Sequence, residues 1–483
     1  MSRPAPRLPD GWVVRHDPRV LRVDGGATLV GGSPPRVLHL SAAARARLAD
    51  PERLVVSDAT SAALARSLSD AGVTHPDPAA PGARRDAPDP AAVSVVVPVR
   101  DRAEELDRLL AALAATAPGL GQVVVVDDGS RRPSETESVA ARHGARVVRH
   151  AASRGPAAAR NTGARTATGD VLAFLDSDVV PAPDWLAPLL GHLADGAVGA
   201  AAPRIVAWGH GAGAVARYER RRSSLDLGAR PAPVTARSRV AYVPSAALVI
   251  RREAFGDGFR EDMPVAEDVD LVWRVAAAGW RLRYEPAARV AHEHRDAVGA
   301  WLARKSYYGT GAAPLAQHHP RRVPPVALAP WTAAVTTLVL VQRRWSLAAA
   351  AGVTVVATAR LARGLGRTRR PVLLASALAS WGLGGAVWQA AGALTRHWWP
   401  AAAVGAVLSR RVRRALAMAA VVEGLADWVR FRPPGAGPVD ALAHVAAHRA
   451  DDLAYGAGLW WGAWRARTFA PLLPDLSGKG PDR

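Results

Sequence analysis

"VLAFLDSDVVP" runs from Val171 to Pro181. Its apolar start ends at two aspartates, Asp176 and Asp178, separated by one serine. A short apolar run bounded in this way reads as a buried strand. A strand that stops at two carboxylates asks what they hold: a divalent metal, a helix N-terminus or water. Upstream, "VSVVVPVR" (93–100) is another continuous apolar run. "DRAEELDRLLAALAA" (101–115) follows, with Leu106, Leu109, Leu110 and Leu113 on one helical face. "QVVVVDDGS" (122–130) is a further strand, ending in Asp127, Asp128, Gly129 and Ser130. "ARVVRH" (145–150) and a glycine-punctuated helix, "GPAAARNTGARTATGD" (155–170), lead back to the first quotation. Such alternation predicts an α/β fold with a parallel sheet flanked by helices. Ligands in open α/β sheets gather at the carboxyl ends of the strands. Asp101, Asp127, Asp128, Asp176 and Asp178 all fall there. Five acids so placed repel one another unless a cation or hydrogen-bond donors sit between them.

A D-x-D at a strand end can put one or both carboxylates on a divalent ion that also holds a diphosphate and neutralises it as it leaves; hard oxygen ligands suit Mg²⁺ or Mn²⁺. Taken alone it is equally a solvated turn. "VAEDVDL" (265–271) opens a helical pattern, "DVDLVWRVAAAGW", so Glu267, Asp268 and Asp270 read as an acidic helix start favoured by the macrodipole. "VAHEHR" (290–295) closes the sheet pattern with His292 and His294 on the same side of a strand. One of the two imidazoles is a candidate metal ligand or diphosphate contact; structural histidines are the alternative. In "WLARKSYYGTG" (301–311), Arg304 and Lys305 are candidates for the leaving diphosphate or for a solvated helix face.

Four motifs in order, "VVVPVRDR", "VVVVDDGS", "GPAAARNTGARTATGDVLAFLDSDVVP" and "AEDVDLVWRVAAAGWRLRYEP", make residues 93–315 resemble the family 2 glycosyltransferases. The resemblance implies the GT-A fold, a Rossmann-like mixed sheet. It implies that Pro98, Arg100, Asp101, Asp127 and Asp128 line the nucleoside pocket. The helix with Arg160, Asn161 and Gly163 then packs under the diphosphate of the donor. Asp176 and Asp178 correspond to the D-x-D pair, with the metal and the nucleotide sugar on them. Asp268 corresponds to the base of the E-D motif, which takes the acceptor hydroxyl proton as the nucleoside diphosphate leaves from the opposite face. Ser245, in "SRVAYVPSAALVIRREAF" (238–255), falls beside the acceptor. The processive synthases of the family carry Q-x-x-R-W after the last strand. This chain does not, so long processive polymerisation is not expected, while short-chain extension stays open.

The chain has 483 residues, enough for about two to four domains. With no cysteine it has no disulfides and no cysteine-ligated metal. Its net charge of +20 is almost all arginine, since only Lys305 and Lys479 are lysines. Arginine for lysine, with abundant alanine, is the signature of a GC-rich genome, so the total charge alone does not point to nucleic acid. The start, "MSRPAPRLPDGW", lacks the apolar core of a signal peptide. Residues 1–78 read as a small α+β domain, and the proline- and glycine-rich 79–92 as a linker. Residues 323–431 read as an apolar helical region. "VPPVALAPWTAAVTTLVLV" (323–341) and "PVLLASALASWGLGGAVWQAAGAL" (371–394) are long enough to span a bilayer, with arginines at their ends. "WSLAAAAGVTVVATA" (345–359) is short for a span, and buried soluble helices are the alternative throughout. Residues 432–483 hold a helix with Trp460, Trp461 and Trp464.

The first zone, "LPDGWVVRHDPRVLRVDGGATLVGGSPPRVLHLS", with the middle zone and the apolar tail, is similar to the mycofactocin-system glycosyltransferases of actinobacteria. That resemblance implies an inverting transfer of β-linked glucose from UDP-glucose to the peptide-derived redox cofactor mycofactocin or its precursor. The first zone also resembles, loosely, the small winged-helix modules that bind peptides; a packing domain without a ligand is the alternative. The expected place is the cell membrane with the catalytic domain cytoplasmic, or else the cytoplasm. A polyprenyl-phosphate, glycolipid or cell-wall acceptor is the second reading, and a non-catalytic sugar-nucleotide-binding protein the third. A nucleic-acid partner is not expected, because the arginines are spread through the chain.

Overall fold

The structure, a computed structural model, describes residues 7–209, 211, 213–294 and 297–478. It divides into two compact units, residues 1–209 with 223–294, and residues 210–222 with 295–483.

The first unit is built on a mixed sheet. Its strands, in chain order, are β1 (Val93–Val99), β2 (Gln122–Asp127), β3 (Arg146–Arg149), β4 (Val171–Leu175), β5 (Val179–Pro181), β6 (Val198–Trp208), β7 (Ala247–Arg251) and β8 (Arg281–Glu293). Their spatial order is β5-β8-β6-β7-β4-β1-β2-β3, and a two-residue strand, Ala232–Pro233, pairs with β8. The half from β4 to β3 is parallel, as the alternating pattern predicts. Its crossovers are α1 (Ala103–Thr116), α2 (Pro133–Arg142) and α3 (Pro156–Thr166). Leu106, Leu109, Leu110 and Leu113 of α1 are all buried, the face expected from their spacing. The other half is not parallel throughout. β7 runs antiparallel to β4 and β6, and β5 antiparallel to β8, while β6 and β8 are parallel. β4 is buried on both faces, which is why its sequence does not alternate. Gly163 lets α3 lie against this sheet: a Cβ there would stand 2.2 Å from Val96 Cγ1.

The N-terminal part of the same unit has two three-stranded antiparallel sheets. Val13–His16 lies between Arg53–Val55 and Thr74–Pro76, and Leu21–Val23, Thr28–Gly31 and Arg36–His39 form a meander. The helix Ala59–Asp70 is capped by Asp58, whose carboxylate accepts from Ser61 N (2.7 Å). The stretch expected as a linker is instead folded. Pro81–Arg85 is a short helix with Gly82 and Ala83 buried, because Gly82 fits directly against the backbone of Gly11. Arg66 pairs with Asp195 (Nη2–Oδ1 2.8 Å) and Arg281 with Asp70 (2.6 Å), joining this part to the large sheet.

The second unit is helical. The helix Val298–Thr310 belongs here and not to the glycosyltransferase stretch, whose compact unit ends at His294. It packs on the long helix Pro438–Arg465, where Gly458 meets the backbone of Ser306 with no room for a Cβ. The apolar spans also differ from expectation. In 323–341 only Pro330–Val341 is helical, too short to cross a bilayer, because Pro324, Pro325 and Pro330 hold the preceding segment extended. The segment judged short is instead a 21-residue helix, Arg344–Gly364, with Arg360 and Arg363 inside its last turns. It and Pro371–His397 are long and apolar enough to cross a membrane, by length and composition.

Candidate active site

The loops after β1 and β2 are tied to each other. Asp101, in a left-handed conformation (φ 54°), donates its N–H to Ser130 Oγ (2.9 Å), and its carboxylate accepts from Arg131 N (2.8 Å) and Nε (3.1 Å). Together with the start of α2 they enclose a cleft of about 260 Å³ lined by Asp101, Arg102, Arg131, Arg132, Glu135 and Thr136. Arg100 is exposed beside it, and Pro98 lies one strand position before Val99 in β1.

Asp127 and Asp128 have different employments. Asp128 accepts from His150 Nδ1 (2.7 Å), Ser153 Oγ (2.7 Å), Arg154 N (2.8 Å) and Gly155 N (2.9 Å). Burial works against its carboxylate, but those donors outweigh it and hold its pKa below the ordinary value. Its oxygens are therefore spent on the loop that launches α3, not on the nucleoside expected from the sequence. Asp127 Oδ1 accepts from Ser130 N (2.9 Å), while Oδ2 is buried with no hydrogen-bond partner and only the Arg149 guanidinium nearby (4.0 Å). A buried carboxylate oxygen without a hydrogen bond is costly, so Asp127 is the member of the pair with capacity left for a ligand.

Arg160 and Asn161 of α3 also divide. Asn161 spends its amide on Phe259 O (2.8 Å), Glu261 Oε1 (3.0 Å) and Phe259 N (2.9 Å). It holds the 259–261 loop, a correction to the diphosphate role implied for it. Arg160, by contrast, is buried in the centre of the acids. Its Nη2 donates to Asp176 Oδ1 (2.6 Å) and its Nη1 to Glu267 Oε1 (2.9 Å). A fixed planar fork is what bridging two carboxylates requires. Further along the same strand end, Asp178 pairs with Arg102 and stands 3.4 Å from His292 Nε2. Burial opposes the Asp178 carboxylate, but His292 and Arg102 prevail and its pKa lies below the usual range. His294 lies beyond, its ring centroid 5.2 Å from that of His292.

The E-D pair opens α4 (Glu267–Ala277), whose N-cap, Ala266, is left-handed (φ 66°). Asp176 N donates to Ala246 O (3.1 Å) and Ser245 N to Asp268 Oδ2 (3.3 Å), so the D-x-D and the E-D meet where β4 and β7 run side by side. Val269 N donates to the other Asp268 oxygen (2.8 Å). Burial first, and then the nearby Asp176, raise the Asp268 pKa. Burial and the Asp268 charge push Glu267 up to about 7, against the pull of Arg160. Asp270 is not part of this group: fully buried, it accepts from Arg274 Nε (2.7 Å) one helical turn on. Lys305 is likewise withdrawn from any diphosphate. It is 4% exposed in the second unit, with Nζ 2.8 Å from Glu219 Oε1 and 3.3 Å from Asp451 Oδ2. Arg304, in the same helix, lies over the Tyr308 ring (5.5 Å).

A half-buried carboxylate with a raised pKa, held by two backbone N–H groups, is suited to accepting a proton. Asp178 and His292 lie together (3.4 Å), Asp176 is two residues before Asp178, and His292 Nδ1 is buried without a hydrogen-bond partner, so the residue types here are oxygens and one imidazole. That chemistry fits Mg²⁺ or Mn²⁺. Among the described residues, Glu423, His448 and Asp452 bring ligand atoms within 4.8 Å of one another. There, Arg449 and Arg396 pair with the carboxylates, as Arg160 and Arg102 pair with Asp176 and Asp178. Sequence reading missed Arg102 and His150, whose partners are distant in the chain. The one signal for Arg102 was its place directly after a strand-end acid.

Residues 94–259 match the pattern of the family described as glycosyl transferase family 2. A pre-mycofactocin glycosyltransferase of Mycobacterium tuberculosis is 46% identical over 478 residues, 98% of this chain and 99% of that one. A validoxylamine A glucosyltransferase of Streptomyces hygroscopicus subsp. limoneus is 38% identical over 117 residues, 23% of this chain and 25% of that one. Among solved structures, a mannosyltransferase of Pyrobaculum calidifontis in complex with GDP-Man and Mn²⁺ covers 64% of this chain and 92% of its own, at 23% identity and a TM-score of 0.38. With the 46% identical mycobacterial relative matched along nearly its whole length and the family pattern over residues 94–259, the chain belongs to the family 2 glycosyltransferases.

Proposed function

We propose that this glycosyltransferase moves a hexose, glucose in β-linkage, from a UDP-sugar to mycofactocin or its peptide-derived precursor, with inversion at the anomeric carbon. The acceptor is taken from the near full-length likeness to the mycobacterial enzyme. The observation that carries the mechanism is the Asp268 carboxylate, oriented by Ser245 N and Val269 N beside the Arg160-bridged Asp176 and Glu267. In the reaction Asp268 takes the proton from the acceptor hydroxyl as its oxygen bonds to C1. The bond from C1 to the donor phosphate breaks on the opposite face, and UDP leaves with the electron pair. Asp127 and the 260 Å³ cleft at Asp101 serve the nucleoside. Arg160 fixes Asp176 on one side and Glu267 on the other. A divalent ion held by Asp176 and Asp178, with His292 at hand, would neutralise the departing diphosphate.

The second unit holds the enzyme at the membrane in this reading, with the catalytic unit on the cytoplasmic side, where sugar nucleotides are made. Support comes from the helices Arg344–Gly364 and Pro371–His397, in each of which only 17% of the apolar window is buried. The same helices favour one second reading, a polyprenyl-phosphate or glycolipid acceptor. The deciding experiment is incubation of the full-length enzyme with UDP-glucose and either acceptor, followed by mass spectrometry. A hexose increment on the peptide-derived acceptor supports the first reading. An increment on the lipid acceptor alone supports the second, and donor hydrolysis without either product overturns both.

A further inference from the structure

From Ala297 to Val422 the chain has no Asp or Glu, yet it carries fifteen arginines and Lys305. Genome composition can write arginine for lysine, but it does not remove acids, and all 42 of them lie elsewhere in the chain. Four of the seven acids that follow are consumed inside the helical unit. Asp427 pairs with Arg222 (3.0 Å) and His444 (2.9 Å), Glu423 with His448 (3.1 Å) and Arg449, Asp451 with Lys305, and Asp452 with Arg396 (3.0 Å). Along residues 297–422 the charge that faces outward is positive. Arg343 and Arg344 begin the helix Arg344–Gly364, and Gln342 Nε2 donates to Arg411 O (2.9 Å), which brings Arg410, Arg413 and Arg414 to the same end. The other end carries Arg360, Arg363, Arg367, Arg369 and Arg370, all exposed. Between the two clusters lie outward-facing apolar side chains, among them Val355 (68% exposed), Leu373 (67%) and Leu408 (82%). A 21-residue helix is ~30 Å long, the thickness of a bilayer's hydrocarbon core. An apolar belt of that height with arginines at both rims matches a layer whose surfaces are anionic.

We infer that the helical unit docks on lipid bilayers bearing anionic phospholipid headgroups, with the arginine clusters at Arg343–Arg344 and Arg360–Arg370 contacting lipid phosphates. The inference rests on the membrane reading above and adds lipid charge to it. RNA shares the phosphate chemistry, but it would leave the apolar belt uncovered.

The test is co-flotation of the full-length enzyme, after detergent removal, with vesicles of phosphatidylcholine alone or mixed with phosphatidylglycerol. Partition into the mixed vesicles should be at least 100-fold stronger at low salt and should weaken as salt rises. The triple variant R363Q/R367Q/R370Q should lose roughly 100-fold of that partition, about fivefold per arginine. Its partition into phosphatidylcholine, its circular dichroism and its UDP-sugar binding should not change. Equal partition into both vesicle types, or a triple variant that floats like the parent, overturns the anionic-lipid inference and leaves the membrane reading standing. Flotation with neither vesicle type overturns both. Displacement from the mixed vesicles by RNA, with equal affinity for RNA, overturns the lipid assignment.

Discussion

Arg160→Met removes the cation that bridges the two acidic motifs. The wild-type guanidinium is buried and donates to Asp176 (2.6 Å) and Glu267 (2.9 Å), while Asp268 stands next in sequence to Glu267. Methionine fills the space and leaves the carboxylates facing one another. Removing one partner of a buried ion pair costs about 3–5 kcal/mol. The cost depends on pH. Folding raises the Glu267 pKa to about 7, so this group opposes stability as pH climbs from its unfolded value towards 7. Without Arg160 its pKa rises further. Wild type then ionises Glu267 above pH 7 with a counter-charge in place, whereas the variant must either retain the proton or bury a bare charge. At pH 6, where Glu267 is protonated in both, mainly the Asp176 pairing is lost. Thermal unfolding of the full-length protein should therefore show the transition of the catalytic unit falling by about 5 °C at pH 6 and about 10 °C at pH 8, at roughly 2–4 °C per kcal/mol. Equal losses at both pH values would show that Glu267 does not titrate there. A loss under 1 °C would show that Arg160 does not bridge the acids.

Glu267→Gln mimics the protonated form, so its turnover should match wild type at pH 6 and fall about tenfold below it at pH 8, where a charge-assisted bond to Arg160 is missing; a pH-rate profile of both enzymes checks this. Gly163→Ala drives a methyl group to 2.2 Å from Val96 Cγ1 and should cost about 1–3 kcal/mol by overpacking, read as a lowered unfolding temperature with unchanged metal response. Asp178→Ala should weaken Mn²⁺ binding at least tenfold by calorimetry and abolish metal-stimulated donor hydrolysis; unchanged affinity would remove Asp178 from the ligand set.

The parallel half of the sheet was legible because local rules decide it. Doubly buried strands such as Val93–Val99 and Val171–Leu175 are continuous apolar runs, and the leucines of α1 recur at helical spacing. Asp176, Asp178 and Asp268 stood out as acids placed where apolar periodicity stops or starts. The antiparallel placement of β7 between β4 and β6 was not legible, since pairing direction depends on where the chain returns. Nor were the fates of Asp128 and Asn161. Each has the composition of a ligand-binding residue, and each is consumed by partners 22 to 100 positions away, such as His150 and Glu261. The folding of 79–92 escaped notice for a related reason: prolines and glycines mark a linker only when nothing packs on them, and here Gly82 sits against Gly11. Lys305 looked available because charge in sequence says nothing of burial.

The most direct measurement is single-turnover transfer by Asp268→Asn alongside UDP-sugar binding to the same protein. The amide keeps the shape of the side chain but cannot accept the acceptor's proton. Donor binding should stay within a factor of about three of wild type, because the nucleoside end of the site is built on other strand ends, while transfer should fall by roughly 10²–10⁴-fold. Transfer at a near wild-type rate with intact donor binding would contradict the assignment of the base and move it to Glu267.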